Sequence, residues 1–195
     1  MVNGLNMTVL KGEIYGFLGH NGAGKTSALS LLAESLLPIA QGNEEEIRSR
    51  LGFCPQHDIL FPNLSCRQHL ELFSRLKGGV KITNEGQSEE DAIRIEVETR
   101  LDEINFPEDE DNDKPCGTLS GGMKRKVSLA LALIGDPSVV FLDEPTSGMD
   151  PANRRSVWEM ISKAKKGRSI VLTTHFMDEA DILSDRIGII NGGKM

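Results

Sequence analysis

The chain has 195 residues, of which 38% are hydrophobic and 26% charged, so it is long enough for one domain with a substantial buried core and is not disordered by composition. Its formal net charge of −7 argues against broad electrostatic binding to nucleic acid or to an anionic membrane surface. No apolar stretch approaches the ~18 residues of a membrane-spanning helix and the N-terminus lacks a secretory pattern, so we expect any work at a membrane to depend on a partner or on a segment outside this chain.

The first third of the chain alternates between strand and helix patterns. In order, the patterns predict a strand over 6–10, a strand over 14–18, a helix over 26–37 and a strand over 51–54. Pro38 ends the helix, and residues 38–50 form one polar, glutamate-rich link. From 64 to 106 the pattern changes to helices, clearest over 91–106, with polar loops over 81–90 and 107–113.

From residue 119 onward the alternation returns. The predicted elements are a helix over 120–134, a strand over 139–142, a helix over 151–165, a strand over 170–173, a helix over 177–183 and a strand over 187–190. Such alternation indicates an α/β fold with a mainly parallel sheet covered by helices. We expect a single domain over 1–195, with 1–56 and 117–195 as the α/β core and about 57–116 as a helical insertion.

The three cysteines, Cys54, Cys66 and Cys116, are widely spaced and odd in number. No CxxC pair or Cys/His cluster indicates a zinc site. We therefore expect reduced thiols in a protein that faces the cytosol.

A glycine-rich loop lies between the second predicted strand and the first helix and matches G-x-x-x-x-G-K-[ST]. Its glycines let successive backbone N–H groups point at phosphate oxygens, and the helix adds its positive N-terminal end. Lys25 can reach the β- and γ-phosphates, and the Thr26 hydroxyl can ligate Mg²⁺. The candidate phosphate-binding residues are Gly19, His20, Asn21, Gly22, Ala23, Gly24, Lys25, Thr26 and Ser27.

The apolar strand over 139–142 ends in two carboxylates, Asp143 and Glu144. The carboxyl ends of parallel strands face the same crevice as the phosphate loop. We expect Asp143 to hold Mg²⁺, which prefers oxygen ligands, and Glu144 to act as general base on the attacking water. Alone this pair could be a solvated strand end, but beside the phosphate loop it indicates Mg²⁺-dependent hydrolysis.

Two weaker patterns have simpler alternatives. Ser120, Gly121 and Gly122 open a helix, for which an ordinary N-cap is the simpler interpretation, and the basic positions 124–126 that follow are interpreted as solvated. His175 follows a strand and could hydrogen-bond a γ-phosphate, whereas a lone histidine is more often structural.

Gln56 follows the strand over 51–54 and, like His175, has both a functional and a simpler interpretation. It could orient water or Mg²⁺, or it could be a loop residue. Its side chain is neutral, so its position is the only indication of either role.

Taken in order, the motifs resemble the nucleotide-binding domain of an ABC transporter over essentially the whole chain. The phosphate loop, a glutamine after a strand, LSGGM, FLDEPTSGMD and TTH follow one another. The segments GHNGAGKT, CPQHDILF and THFMDEADILSDRI are most similar to the A subfamily, whose members are often associated with lipid movement.

This resemblance implies a role for each weak motif. Ser120 to Gly122 would contact the γ-phosphate of ATP bound to a second nucleotide-binding domain, and Asp150 would belong to a loop that crosses this interface. His175 would be the switch histidine. Gln56 would act with Glu144 and His175 in catalysis, contribute to the Mg²⁺ site and link that site to transmembrane domains not present in this chain.

Taken together, the resemblance implies a Mg²⁺-dependent ATPase at the cytoplasmic face of a membrane. Two such domains would sandwich ATP and drive transport, of lipid by analogy with the subfamily. No nucleic acid partner is expected.

Three features depart from the family pattern. The link 38–50 is too short to hold the expected strand and turn, the aromatic residue that stacks on adenine lies outside the chain, and 191–195 forms a hairpin turn without a following strand. We therefore expect an incomplete copy of the domain. Two alternatives follow: a hydrolysis-impaired nucleotide-binding module, against which the intact Glu144 counts, and a soluble ABC ATPase, for which a coiled-coil insertion or tandem domain would be needed.

Overall fold

The computed structural model describes residues 6–36, 47, 49–77, 88–104 and 112–192. The elements in chain order are β1 (Ile14–Leu18), α1 (Lys25–Leu36), β2 (Leu51–Cys54), α2 (Cys66–Leu76), α3 (Glu89–Ile104), a 3-10 turn (Cys116–Thr118), α4 (Gly121–Leu133), β3 (Val139–Asp143), α5 (Pro151–Ala164), β4 (Ser169–Thr174), α6 (Met177–Leu183) and β5 (Arg186–Ile189). Among these helices, none has both the length and the apolar character needed to cross a membrane.

The five strands form one parallel sheet in the order β2-β3-β4-β1-β5. Leu18 at the end of β1 pairs with Thr174 of β4, and Asp143 at the end of β3 pairs with Thr173. The carboxyl ends of the strands therefore meet at one edge of the sheet, where the loops after β1, β2, β3 and β4 come together. The predicted α/β fold with a parallel sheet is confirmed.

Helices cover both faces of the sheet. Alternate residues of one strand enter opposite clusters: Ile170 packs in the cluster with α4 and α5, and its neighbour Val171 packs in the cluster with α1. Parallel strands buried on both faces are expected to have continuous apolar runs, as β3 has over 139–142 and β4 over 170–172. Two further helices, α2 and α3, pack against each other and against α4.

The segment 6–10 does not form the predicted strand. The backbone of Leu10 instead closes a turn with Glu13. The amide of Glu13 donates to the carbonyl oxygen of Leu10 at 3.1 Å, and the amide of Leu10 donates to the Glu13 carboxylate at 2.7 Å. The same carbonyl accepts from Ser169 Oγ at 3.1 Å. With these groups engaged by a turn and a side chain, this stretch of backbone does not join the sheet.

The helix boundaries differ from the prediction mainly at one place. Glu89 and Glu90, predicted to be in a loop, form the first turn of α3, where acidic side chains stabilise the positive helix end. Parts of other predictions lie outside the described residues: the helix ends at 37 and 105–106, most of the link 38–50, the loop residues 81–87 and 107–111, and the end 193–195.

All three cysteines are free and buried. Burial raises the pKa of the Cys54 thiol to about 11 and that of Cys66 to about 12. Thiols with such pKa values stay protonated at neutral pH, so these residues act as small packing groups.

Candidate functional site

The loop after β1 curls back on itself and enters α1 directly. Gly22 and Gly24 have φ angles of 82° and 99°, which glycine adopts without steric cost. Gly19 is required for a different reason, because a Cβ at this position would lie 2.6 Å from the carbonyl oxygen of Ile190. Since α1 begins at Lys25, the N–H groups of the loop and of the first helical turn are arranged to bind an anion.

The ammonium group of Lys25 is buried between this loop and the end of β3. Its Nζ donates to the carbonyl oxygens of Gly19 at 2.9 Å and His20 at 3.2 Å, and it pairs with Glu144 Oε1 at 3.1 Å. The residue is only 4% exposed. Three acceptors therefore match the three N–H donors of the ammonium group.

The Asp143 carboxylate is held by two threonine hydroxyls. Thr26 Oγ1 donates to Asp143 Oδ1 at 3.2 Å, and Thr173 Oγ1 donates to the same oxygen at 2.5 Å. Thr26 and Asp143 thus offer the oxygen ligands that a hard cation prefers. Thr173 was not predicted as a site residue, although its place two residues before His175 is a usable signal.

These oxygens fit Mg²⁺ bound together with a nucleotide. Among the described residues, no group of three or more His, Cys, Asp and Glu side chains could hold a metal ion. Mg²⁺ commonly takes one or two carboxylates and completes its shell with water and substrate phosphates, so one carboxylate beside a threonine hydroxyl suits this ion.

Three side chains converge on the carboxylate of Glu144. Besides the pairing with Lys25, Glu144 Oε2 accepts from Gln56 Nε2 at 3.4 Å and lies 3.1 Å from His175 Nδ1. The Glu144 amide donates to the carbonyl oxygen of Thr173 at 3.1 Å and to its hydroxyl at 3.0 Å. Side chains from the start of α1 and from the segments after β2 and β4 thus surround one carboxylate that is only 7% exposed.

The backbone of Glu144 is itself unusual, with φ of 45°. A non-glycine residue in this left-handed region costs about 1–3 kcal/mol and persists only where its surroundings hold it. The two bonds from the Glu144 amide to Thr173 are part of that support.

A cleft of about 260 Å³ opens in front of the phosphate loop. The residues lining it are Asn21, Gly22, Gly24, Lys25, Thr26, Ser27, Gln56 and Glu144. Three predicted phosphate-loop residues lie apart from its lining. Ala23 is buried, His20 is exposed with Nε2 3.4 Å from Asn191 Oδ1, and Gly19 holds Lys25 through its carbonyl oxygen.

A second cleft of about 440 Å³ lies beside the first, and Gln56 lines both. Ser120, Gly121, Gly122 and Asp150 line it together, and no residue of the range 19–27 does so. The structure therefore brings these four predicted residues together on a surface separate from the phosphate loop.

Two helices begin at this second cleft. The hydroxyl of Ser120 caps α4, and Asp150 caps α5 by accepting from the amides of Ala152 at 3.0 Å and Asn153 at 3.1 Å. Hydrogen bonds from the Asn153 side chain and amide lower the pKa of Asp150. A Cβ on Gly122 would lie 2.8 Å from Asn153 Cγ, so this glycine lets the two helix ends approach closely.

The basic positions 124–126 are not all solvated, and for two of them that prediction was wrong. Arg125 is 5% exposed and Lys126 9% exposed. From Arg125 to Leu133 every residue of α4 is buried. The apolar run 127–134 could have indicated this, since a helix that is apolar all round is usually enclosed by other elements.

A parallel sheet with this phosphate loop and acidic strand end defines an ATP-binding P-loop domain, and a family model described as ABC transporter matches residues 2–147. The chain belongs to the ABC transporter family. It is 43% identical over 205 residues to the retinal-specific phospholipid-transporting ATPase ABCA4 of Homo sapiens, and 44% identical over 207 residues to ABC transporter A family member 2 of Arabidopsis thaliana. These alignments cover 100% of this chain but 8% and 20% of the relatives, and they confirm the resemblance to the A subfamily.

Solved structures show the same fold. The dimeric structure of MJ0796, a bacterial ABC transporter cassette, has a TM-score of 0.80 at 22% identity and covers 100% of this chain and 88% of that one. CbiO1 from Clostridium perfringens, part of the ABC transporter complex cbiONQ, has a TM-score of 0.82 at 25% identity and covers 99% and 79%.

Proposed function

We propose that this chain is the Mg²⁺-dependent, ATP-hydrolysing motor domain of an A-subfamily ABC transporter. The observation that carries the proposal is the convergence of Lys25, Gln56 and His175 on Glu144 beside the phosphate-loop cleft. In this proposal 1–56 and 117–195 form the ATP-binding core, and about 57–116 form the helical insertion through which transmembrane partners act. The domain works at the cytoplasmic face of the membrane, and the name of the human relative, a phospholipid-transporting ATPase, supports a lipid as cargo.

The chain's own groups supply positioning and charge, which dominate phosphoryl transfer. The phosphates of ATP lie against the N–H groups of the loop and of the first turn of α1. Lys25 exchanges the Glu144 carboxylate for β- and γ-phosphate oxygens, and this exchange frees Glu144 to accept the proton of the attacking water. His175, already beside Glu144, is within reach of a γ-phosphate at the same place.

Oxygen atoms of Thr26, Asp143 and Gln56 hold Mg²⁺ in this proposal. When bound, this ion neutralises charge on the phosphate oxygens. Thr173 keeps the Asp143 carboxylate in the orientation that the site needs.

A second domain completes each site. Ser120 to Gly122 and Asp150 lie at helix N-termini in a cleft lined by no residue of the phosphate loop, which supports a role in binding phosphates held by another domain. Two structures of MJ0796 are dimeric, and one of them is bound to ADP and Pi, which supports the same pairing here.

The test is the ATPase rate of the purified chain beside that of Glu144→Gln. We expect kcat to fall about 100-fold or more, because general-base catalysis contributes about that factor, while ATP binding persists and an ATP-dependent dimer accumulates in size-exclusion chromatography. Glu90→Gln, at a side chain that is 78% exposed on α3, serves as the matched control and should keep the wild-type rate. A wild-type chain that binds ATP but does not hydrolyse it, even at concentrations that support a dimer, would contradict the proposal.

A further inference from the structure

We infer that Arg125 is a positioning residue for ATP hydrolysis, because its buried guanidinium group fixes the backbone segments that present Gln56 and Glu144. The inference rests on the proposed function. Arg125 lies on α4, whereas these two side chains follow β2 and β3, so one residue of a helix joins two strand ends.

The first set of contacts is with the chain after β3. Arg125 Nε donates to the carbonyl oxygen of Pro145 at 2.7 Å. Nη2 donates to the carbonyl oxygens of Asp143 at 2.9 Å and Glu144 at 3.2 Å. Three consecutive carbonyls therefore face one planar group, and this fixes the path of the backbone through both acidic residues.

The second set is with the chain after β2. Nη1 of Arg125 donates to the carbonyl oxygens of Pro55 at 2.5 Å and Gln56 at 3.3 Å, and it pairs with Asp58 Oδ1 at 3.2 Å. The same Asp58 oxygen accepts from Ser128 Oγ at 2.8 Å, almost one turn further along α4. The loop that contains Gln56 is thus bound to α4 through two residues of that helix, Arg125 and Ser128.

These contacts matter most at Glu144, whose φ of 45° needs support on both sides. Thr173 holds its amide and Arg125 holds its carbonyl. Without the guanidinium group the backbone is free to leave the left-handed region, and the carboxylate moves with it. The 3.4 Å contact between Gln56 and Glu144 also depends on both loops keeping their separation.

The location of Arg125 adds a connection between the two clefts. It follows the cap residue Ser120 by about one and a half turns of α4. A shift of α4 when a second domain engages its N-terminus would therefore move the group that holds Glu144. Arg125 in this way relates partner engagement to the position of the catalytic base.

The experiment compares Arg125→Lys with Lys124→Met, the neighbouring position, where Nζ contacts only a backbone carbonyl among the described residues, that of Gly117 at 3.3 Å. A lysine keeps the charge but cannot span both loops. We expect kcat to fall about 10- to 100-fold in Arg125→Lys, with the KM and Kd for ATP changed less than about 3-fold, because misplacing a catalytic group affects the reaction more than binding. Lys124→Met should keep wild-type kcat and KM. Equal kcat in the two variants, or a kcat loss matched by an equal loss of ATP affinity, would overturn the inference.

Hydrogen–deuterium exchange gives a readout that does not need turnover. Faster amide exchange is expected in both 55–58 and 144–147 of Arg125→Lys than of Lys124→Met, and unchanged exchange in both segments would overturn the inference even if the wild-type chain proved inactive. An inactive wild type with faster exchange in the variant would contradict the proposed function alone. If Arg125→Lys does not fold, Asp58→Asn is the second variant, because it weakens the contacts of Asp58 with Arg125 Nη1 and Ser128 and leaves the contacts with the chain after β3. It should show the same changes to a smaller extent, and wild-type behaviour of this variant would count equally against the inference.

Discussion

Among the residues that the structure describes, most buried charged side chains have several hydrogen-bond partners. The Lys25 ammonium has three acceptors, and the Arg125 guanidinium spans two loops. Lys77 differs from both because its described hydrogen-bond acceptors include no carboxylate. They are the backbone carbonyl oxygens of Leu51 at 3.2 Å and Ile134 at 3.0 Å. Burial lowers the pKa of Lys77 to about 8, although Glu96 acts in the opposite direction.

Lys77 therefore makes stability depend on pH. Its ordinary pKa is 10.5 and its folded pKa is about 8. Between these values the unfolded chain binds more protons than the folded chain, so the free energy of unfolding rises with pH. We expect this contribution to be about 3 kcal/mol across the whole window and to be lost in Lys77→Met, as measured by urea unfolding at several pH values through this window.

Comparing the wild-type chain with Lys77→Met separates the effect of Lys77 from that of other groups that titrate in the same pH range. The buried thiols of Cys54 and Cys66 have raised pKa values, so they make the free energy of unfolding fall as pH rises. This effect is the same in the wild-type chain and in Lys77→Met. The exposed Lys166→Met is the control and should keep the wild-type pH dependence. An identical pH slope in wild type and Lys77→Met would show that Lys77 is not desolvated.

At the scale of elements, the close contact between β2 and α4 sets the position of Gln56. Gly52 in β2 leaves no room for a side chain, because a Cβ would lie 2.1 Å from the carbonyl oxygen of Ala132 in α4 and 3.1 Å from Pro137 Cγ. Arg125 lies on the same helix, so this contact also fixes its distance from the loop after β2.

Gly52→Ala is therefore expected to reduce the free energy of unfolding by about 1–3 kcal/mol, the usual range for overpacking. Gly121→Ala is the matched control. A Cβ at that position meets nothing within 4 Å, and alanine is favoured over glycine in a helix by up to about 1 kcal/mol. Chemical unfolding of both variants measures the difference, and equal stabilities would mean that β2 and α4 can separate at little cost.

The elements best predicted from sequence are those whose signals are local. The bounds of β1, β2 and α6 agree with the prediction, because apolar runs between glycine, proline and polar residues fix them. The strand predicted over 6–10 was wrong, since pairing requires a neighbour that the local pattern does not contain. The burial of Arg125 was missed for a related reason: it depends on the segments that follow β2 and β3, which contact its side chain from distant parts of the sequence.

At the scale of the whole molecule, the proposed dimer would take half of each of its two sites from one chain. The phosphate loop and Glu144 face one cleft, and Ser120 to Gly122 with Asp150 face the other. The placement of these motifs at one sheet edge could be predicted from their order and from the strand ends. Their division between two clefts could not, because it depends on how α4 packs against β2, α2 and α3.

Mixing two inactive variants tests this division. Gly121→Asp should disable the second cleft by placing a negative charge at the α4 N-terminus, where there is space for the side chain, and Glu144→Gln disables the first. Each alone should be inactive, while an equal mixture should recover about a quarter of the wild-type rate, since random pairing makes half of the dimers mixed and each mixed dimer holds one intact site of two. ATPase rate against mixing ratio is the measurement. No recovery would indicate that each chain hydrolyses ATP with its own residues only.

The ion pair between Lys25 and Glu144 has one more consequence. In the proposed mechanism, the ammonium group that binds the terminal phosphates is the one paired here with the carboxylate that later activates water. That carboxylate would compete with the nucleotide for Lys25, so part of the binding free energy of ATP would go into displacing it. Weakening this ion pair would then favour ATP binding and disturb the base in the same step.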